Sequence, residues 1–547
     1  MSQLRSRERL IWGETGEEVL KASRVLILGF SILASELAVS LVSSGIIEIV
    51  LVDDGVAAEE DYGVCLGLDG EISDVVNRPK VQLLKEYLLS LQAGARVECI
   101  LESPESYLGN IRDSSPKLPA MNYDAVVCCN LPGMIVEAVY GLASRCHGIS
   151  SPFILSLKSR GHLGQYQIYA VDSSVITFDL SPEAKNLANL YGLQLCRPFE
   201  SLIRASCQID LQELESGSEC LREHLSKIPF PLLLVHIGVG SGLFGDSGLN
   251  SDKEGLLRTF QQNLEQIFKD YEYPNYCEAR RYQNLVFSEP ERPFGCQLFQ
   301  IIESQKRHSC IDDPSLNRPS FSPINQRYRV VLGWIHSFLN DVGRLPVSKK
   351  LPEMHCDTLT YLQLQKLYDQ QYLQDVSQIL DKYSRETDSS MFGQDVHITP
   401  EFIQFICDHL YCLRYVEFRN ASFRWGELSG GGDRVDSSLG ERLKEAFLGD
   451  QESGEQQLVE FLFLDFLDYF LAERPGAGSP EGLLAEFRGY LGTLGLDHVR
   501  VPSDLVQSYT AKEQFVTSSY VSGVCSQEVI KLVLGRFVPL NNLLTWK

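Results

Sequence analysis

Holding a phosphate takes backbone N–H groups at a glycine turn that opens a helix, where the aligned peptide dipoles favour an anion. Gly29-Phe30-Ser31-Ile32-Leu33-Ala34 is such a turn. Against the G-x-G-x-x-G spacing it keeps the first glycine, carries Ser31 where close approach to phosphate tolerates no side chain, and has Ala34 at the helix-packing position, which accepts alanine. The expectation is a scaffold that kept the turn and lost the ligand. Gly240-Ser241-Gly242-Leu243-Phe244-Gly245 has the better glycine spacing, but Asp246 to Lys253 after it are polar and turn-forming, so a loop is expected there. Among nucleophiles, Cys407 and Cys412 sit on an apolar stretch read as a helix from Phe402 to Tyr415, with only His409 and Arg414 as cationic neighbours. Buried structural thiols are expected. His308 and Cys310 lack a second ligand pair, and the chain has no CxxC and no HExxH, so no metal site is expected.

The elements that position the turn form a β-α-β pattern. Arg24 to Gly29 is a short aliphatic run ending in glycine, residues 31–44 place Leu33, Leu37 and Leu41 at helical spacing with Ser31 as cap, and Ile47 to Val52 makes a second strand closing on Asp53. That is the opening of a doubly wound α/β domain. A helix over 79–91 and strands over 96–101, 123–129 and 153–157 continue it. After about residue 170 amphipathic helices take over, for example 255–270, 326–341, 358–383 and 455–473. The last is very apolar, but Glu460, Asp465 and Asp468 argue for a core helix rather than a membrane span. The final residues return to alternation, with a strand expected from Arg536 to Leu544.

Composition narrows the function classes. A chain of 547 residues, 44% hydrophobic and 22% charged, reads as globular with several domains. Its formal net charge of −23, without a Lys/Arg-rich run, argues against nucleic acid and anionic membranes as partners. The start, Met1 to Gly16, lacks the apolar core of a signal peptide, so cytosol or nucleus is the expected location. Fifteen cysteines at irregular spacing, Cys128 and Cys129 adjacent among them, do not form a disulfide framework.

Several segments, in order along the chain, carry a family resemblance. Arg7-Glu8-Arg9-Leu10-Ile11-Trp12-Gly13 followed by Arg24 to Gly29 resembles the opening of activating enzymes for ubiquitin-like proteins, and Gln527 to Lys531 with Phe537 and Asn541-Asn542 resembles the close of the same adenylation fold. Between them, Arg160 to Gly164, Arg197-Pro198-Phe199, Leu345-Pro346-Val347, Leu351 to Met354 and Tyr361 to Gln365 resemble segments of the regulatory, non-catalytic subunits of the neddylation branch.

The resemblance implies an α/β, doubly wound adenylation-type (Rossmann-like) domain over 1–170 and 485–547, interrupted over 171–484 by a large, mainly α-helical insertion like a catalytic-cysteine domain without its cysteine. Active members use an aspartate after the second strand, an Asn and an Arg downstream, a lysine on the next helix and an aspartate after the fourth strand. Here Asp53 remains and Lys80 is a remnant, but Gly55 and Asp61-Tyr62-Gly63 stand where acidic and Asn/Arg groups belong, and Asn130-Leu131-Pro132 follows the fourth strand. No catalytic residue and no cofactor are therefore expected in this chain. ATP, Mg²⁺ and the thioester cysteine are implied on a catalytic partner subunit, with the ubiquitin-like modifier and its conjugating enzyme as further partners. Arg7 is implied to reach that ATP in trans. The alternatives are a regulatory subunit of the SUMO type, which looks too short for such an insertion, and a nucleotide-dependent oxidoreductase, supported by the β-α-β unit and Asp53 but weakened by Ser31 and by the lack of any proton-transfer constellation.

Overall fold

The computed structural model describes residues 2–68, 71–113, 123–144, 151–169, 174–209, 226–244, 253–268, 273–287, 297–298, 301, 323–387, 398–418, 453–473, 480–502, 505–506, 513–540 and 543–546. They fall into two compact units. The first takes in Met1–Val175, Ile311–Asn325 and Val416–Lys547, the second Ile176–Cys310 and Gln326–Tyr415.

The first unit is an α/β fold around a seven-stranded sheet. Its strands are β1 (Arg24–Leu28), β2 (Glu48–Val52), β3 (Arg96–Ile100), β4 (Ala125–Cys129), β5 (Phe153–Arg160), β6 (Leu163–Tyr169) and, after the short strands β7 (Ser174–Phe178) and β8 (Leu413–Glu417) of a separate two-stranded sheet, β9 (Leu543–Trp546). The order is β3-β2-β1-β4-β5-β6-β9, parallel from β3 to β5 and antiparallel at β6 and β9. A parallel strand is covered on both faces, so β1 is apolar and buried from Val25 to Leu28 after its opening Arg24. Val25 and Ile27 pack with Leu33, Leu37 and Leu41 of α2 (Ile32–Ser43) and with Val529 and Val533 of the C-terminal helix Phe515–Leu534. Leu26 and Leu28 point the other way, onto Leu108 of the helix Pro104–Asp113 and Val136 and Val139 of the helix Gly133–Ser144.

The order reverses between β1 and β4, which makes that edge-to-centre crossover the place where such sheets bind ligands. The turn leaving β1 is Gly29.

Three expectations needed adjustment. β5 runs on to Arg160 and turns at Gly161, φ +60°, into β6, a strand the alternation did not show. No strand covers Arg536 to Leu540, because Gly535 caps the C-terminal helix at φ +59° and Phe537 also takes a positive φ of +62°; β9 begins only at Leu543. The helix Ser453–Glu473 packs with the helix Pro480–Thr493 and Leu163 in a core of its own within the first unit, whereas the expected insertion ran to 484. No helix among the described residues is long and apolar enough to cross a membrane.

The second unit is helical, built on Phe230–Gly240, Lys253–Phe268, most of Pro323–Val342, Thr358–Thr387 and Pro400–His409. Its loop Arg344–Ser348 is pinned by a buried pair. Arg344 Nη1 and Nη2 donate to Asp375 Oδ2 and Oδ1, each at 2.7 Å, and the Val347 N–H adds a third donor at 3.0 Å. Arg197 donates to the Gly343 carbonyl, the Ser348 N–H to the Gly192 carbonyl at 3.0 Å and Tyr411 Oη to the Pro346 carbonyl at 2.6 Å, so these sequence motifs build one scaffold.

Candidate functional site: a nucleotide crossover filled from within

At Gly29 the chain has φ +84°, and a Cβ there would lie 2.7 Å from the Cys129 carbonyl oxygen. Only glycine allows this turn. Ser31 then caps α2, its hydroxyl 3.4 Å from the Ala34 N–H. The side chain that breaks the phosphate pattern therefore serves its own helix.

The two amides that follow would face a phosphate in this fold. Instead Ile32 N–H donates to Glu513 Oε2 at 2.9 Å and Leu33 N–H to Oε1 at 3.4 Å. Ser518 Oγ lies 3.2 Å from Oε1 and 2.9 Å from Ser159 Oγ, and the Asn130 side chain donates to the same carboxylate. Burial raises the Glu513 carboxyl above its ordinary value even though these hydrogen bonds pull it down. The chain thus seats its own carboxylate at the helix N-terminus.

The other expected positions are also committed internally. Asp53 accepts from the Phe30 N–H at 2.9 Å and the Gly55 N–H at 2.7 Å, so both its oxygens tie the β1 and β2 turns together, and burial raises its carboxyl too. A Cβ on Gly55 would sit 2.5 Å from Asp53 Oδ1, so an acidic residue does not fit there unless Asp53 moves. Lys80, opening the helix Lys80–Leu91, pairs with Asp61 at 2.9 Å. Asn130, at φ +52°, accepts from the Ser159 N–H at 2.8 Å and so links the β4 turn to β5. These residues do not fit a nucleotide phosphate: the donor set is already satisfied, and by an anion.

Sequence reasoning singled out Ser31, Asp53, Asp61, Lys80 and Asn130, and the structure brings all of them around one crossover. It missed Glu513, Ser518 and Ser159. Ile32 and Glu513 are separated by 481 positions, so no spacing rule could join them.

Elsewhere, Arg7 lies on α1 (Ser2–Ala22), which breaks at Gly13 with φ 71° and ψ 175°, but its side chain is outside the described ones. Trp12, next to that break, meets Phe537 edge-on at 5.9 Å, and Arg536 reaches the Trp12 carbonyl and, at 2.8 Å, Thr15 Oγ1. Cys407 is 1% exposed on Pro400–His409, and burial pushes its thiol well up. Cys412 is on no helical run to Tyr415; it ends the turn Leu410–Cys412 before β8, is equally buried, and has its thiol pushed up to about 11 by burial. Thiols so placed stay protonated and poorly nucleophilic. Gly240 closes a helix, Phe230–Gly240, not a strand, so the second glycine stretch lacks the strand-turn-helix context of a phosphate loop. His308, Cys310 and Gly245 lie outside the described residues. Among the described residues no cluster of His, Cys, Asp and Glu could hold a metal ion.

No protein-family model matches the chain. Among curated proteins, the NEDD8-activating enzyme E1 regulatory subunit of Gallus gallus is 21% identical over 98% of this chain and 94% of its own length. The Drosophila melanogaster protein of that description is 23% identical over 98% and 93%, and one from Arabidopsis thaliana 24% identical over 98% and 92%. Of solved structures, E. coli MccB with ATP is 20% identical over 29% of this chain and 44% of that chain, TM-score 0.25. E. coli tRNA N6-threonylcarbamoyladenosine dehydratase is 15% identical over 29% and 62%, TM-score 0.24. The likeness to the NEDD8-activating enzyme E1 regulatory subunits runs through animals and plants and along nearly the whole chain.

Proposed function

We propose that this chain is the non-catalytic half of a heterodimer that adenylates a ubiquitin-like modifier of the neddylation pathway and loads it as a thioester. The observation that carries the non-catalytic part is the crossover itself, where Glu513 holds the α2 amides that a phosphate would need. ATP, Mg²⁺ and the nucleophilic cysteine then belong to the catalytic partner subunit, and the modifier and conjugating enzyme meet the assembled pair. Arg7 extends from this chain to the partner's ATP, where a guanidinium offers paired donors and fixed positive charge to the departing pyrophosphate.

Exposed apolar side chains on the segments that follow β2 and Glu513 support a protein neighbour in place of a nucleotide. Val56, Tyr62, Val64 and Ile72 after β2, and Phe515 and Val516 after Glu513, are all exposed. The oxidoreductase reading keeps the β-α-β unit but loses its second support, since both Asp53 oxygens accept from backbone amides.

Co-expression with the catalytic subunits of NEDD8- and SUMO-activating enzymes, followed by thioester assay, tests the assignment. Stable assembly and modifier loading with the neddylation partner is the expected result. Assembly with the SUMO partner alone would show that the branch is wrong.

A further inference from the structure

We propose that Glu513 is an internal substitute for phosphate, whose carboxylate fills the oxyanion position at the α2 N-terminus and whose removal turns the crossover into a phosphate-binding site. The inference rests on reading the crossover as a degenerate nucleotide site and adds what closed it.

The geometry is that of an anion site already in use. Two successive helix amides, Ile32 and Leu33, converge on the two carboxylate oxygens, and a hydroxyl, Ser518, and an amide, Asn130, complete the set. All four donors are neutral, so what they offer is oriented dipoles, the means by which this fold holds phosphate. The acceptor comes from a remote segment, which bridges to Gly161 at Glu513 and leads directly into the C-terminal helix. Ser522 on that helix donates to the Leu33 carbonyl at 2.8 Å and Ser519 to Glu36 Oε2 at 3.2 Å, so the carboxylate is positioned by a whole helix lying on α2. Truncating Glu513 vacates the volume of a carboxylate while the donors stay in place.

The test uses the full chain with Glu513→Ala and Glu513→Gln, and follows the thermal unfolding midpoint in inorganic phosphate against potassium chloride of equal ionic strength. The parent sets the general gain that phosphate, an excluded salt, gives over chloride. Glu513→Ala should unfold at a lower temperature than the parent in chloride and gain in phosphate by on the order of 3 °C beyond the parent's gain once phosphate exceeds its dissociation constant about tenfold. Glu513→Gln refills the space and keeps an acceptor, so it should gain no more than the parent.

If Glu513→Ala folds only in phosphate, the inference stands. If it is equally weakened or unfolded in both salts, or if Glu513→Gln gains as much, the inference is overturned. Assembly of the parent chain with its catalytic partner is read separately, so failure of the regulatory role and failure of this inference remain distinguishable.

Discussion

At the scale of single residues, the crossover keeps the frame of a phosphate turn while its donors are satisfied from within the chain. Gly29 is held by sterics, not ligand: its φ of +84° and the Cys129 carbonyl 2.7 Å from a would-be Cβ predict that Gly29→Ala loses about 1–3 kcal/mol in denaturant unfolding. An unchanged midpoint would show that the turn relaxes freely. Glu513 gives a pH signature. Its carboxyl is raised in the folded chain, so the fold favours the protonated form; that contribution is present below the ordinary carboxylate range and is lost as pH rises through the elevated value. Glu513→Gln removes the titration, and its stability should therefore gain on the parent's as pH goes from acid to neutral. Parallel pH profiles for the two proteins would contradict the assignment. Nearby Cys65, pushed up to about 12 by burial and then by Glu513, does not titrate in that window. For Arg7, on the proposed trans role, Arg7→Ala should leave the heterodimer assembled while slowing pyrophosphate exchange by on the order of tenfold, with Arg7→Lys recovering part. Ser31, Asp53, Asp61 and Asn130 were legible as departures from a pattern. Glu513 was not, because its meaning lies in a contact between the two ends of the chain.

At the scale of elements, periodicity located what packing enforces. The helices over 255–270, 326–341 and 358–383 appear as Lys253–Phe268, Pro323–Val342 and Thr358–Thr387, since each buries apolar residues at helical spacing, such as Phe260 and Leu264 in the first. The end of the chain was misread because Arg536 to Leu540 is apolar enough for a strand while Gly535 and Phe537 both sit at positive φ, which no composition rule reveals. β6 was missed for the opposite reason: its buried Gln165 and Gln167 break the apolar run expected of an interior strand. The pinned loop of the helical unit makes a sharp prediction. Asp375 is 1% exposed and accepts from both Arg344 nitrogens, so Asp375→Ala strands a buried guanidinium and should cost roughly 3–5 kcal/mol in the full chain. A loss below about 1 kcal/mol, the level of a surface pair, would mean that the pair is solvated.

At the scale of the whole molecule, the proposed division of labour follows from what this chain spends on itself. Its crossover donors are satisfied, Cys407 and Cys412 are sealed in the core, and the paired Lys80 is held by Asp61. Cys407→Ser should accordingly leave thioester formation by the proposed heterodimer intact apart from stability. The family resemblance was legible because weak motifs fall in the right order over the full length, and the boundary at 484 was not, because the helix Ser453–Glu473 looks like its neighbours in sequence and packs with the first unit only in three dimensions. The central claim is that the chain completes an activating enzyme without performing its chemistry. Modifier-dependent pyrophosphate exchange, measured on the full chain alone and after assembly with the catalytic subunit of the NEDD8-activating enzyme, tests it most directly. The account predicts no exchange above background from the chain alone and robust exchange from the pair; exchange by the chain alone at the rate of the pair would contradict it.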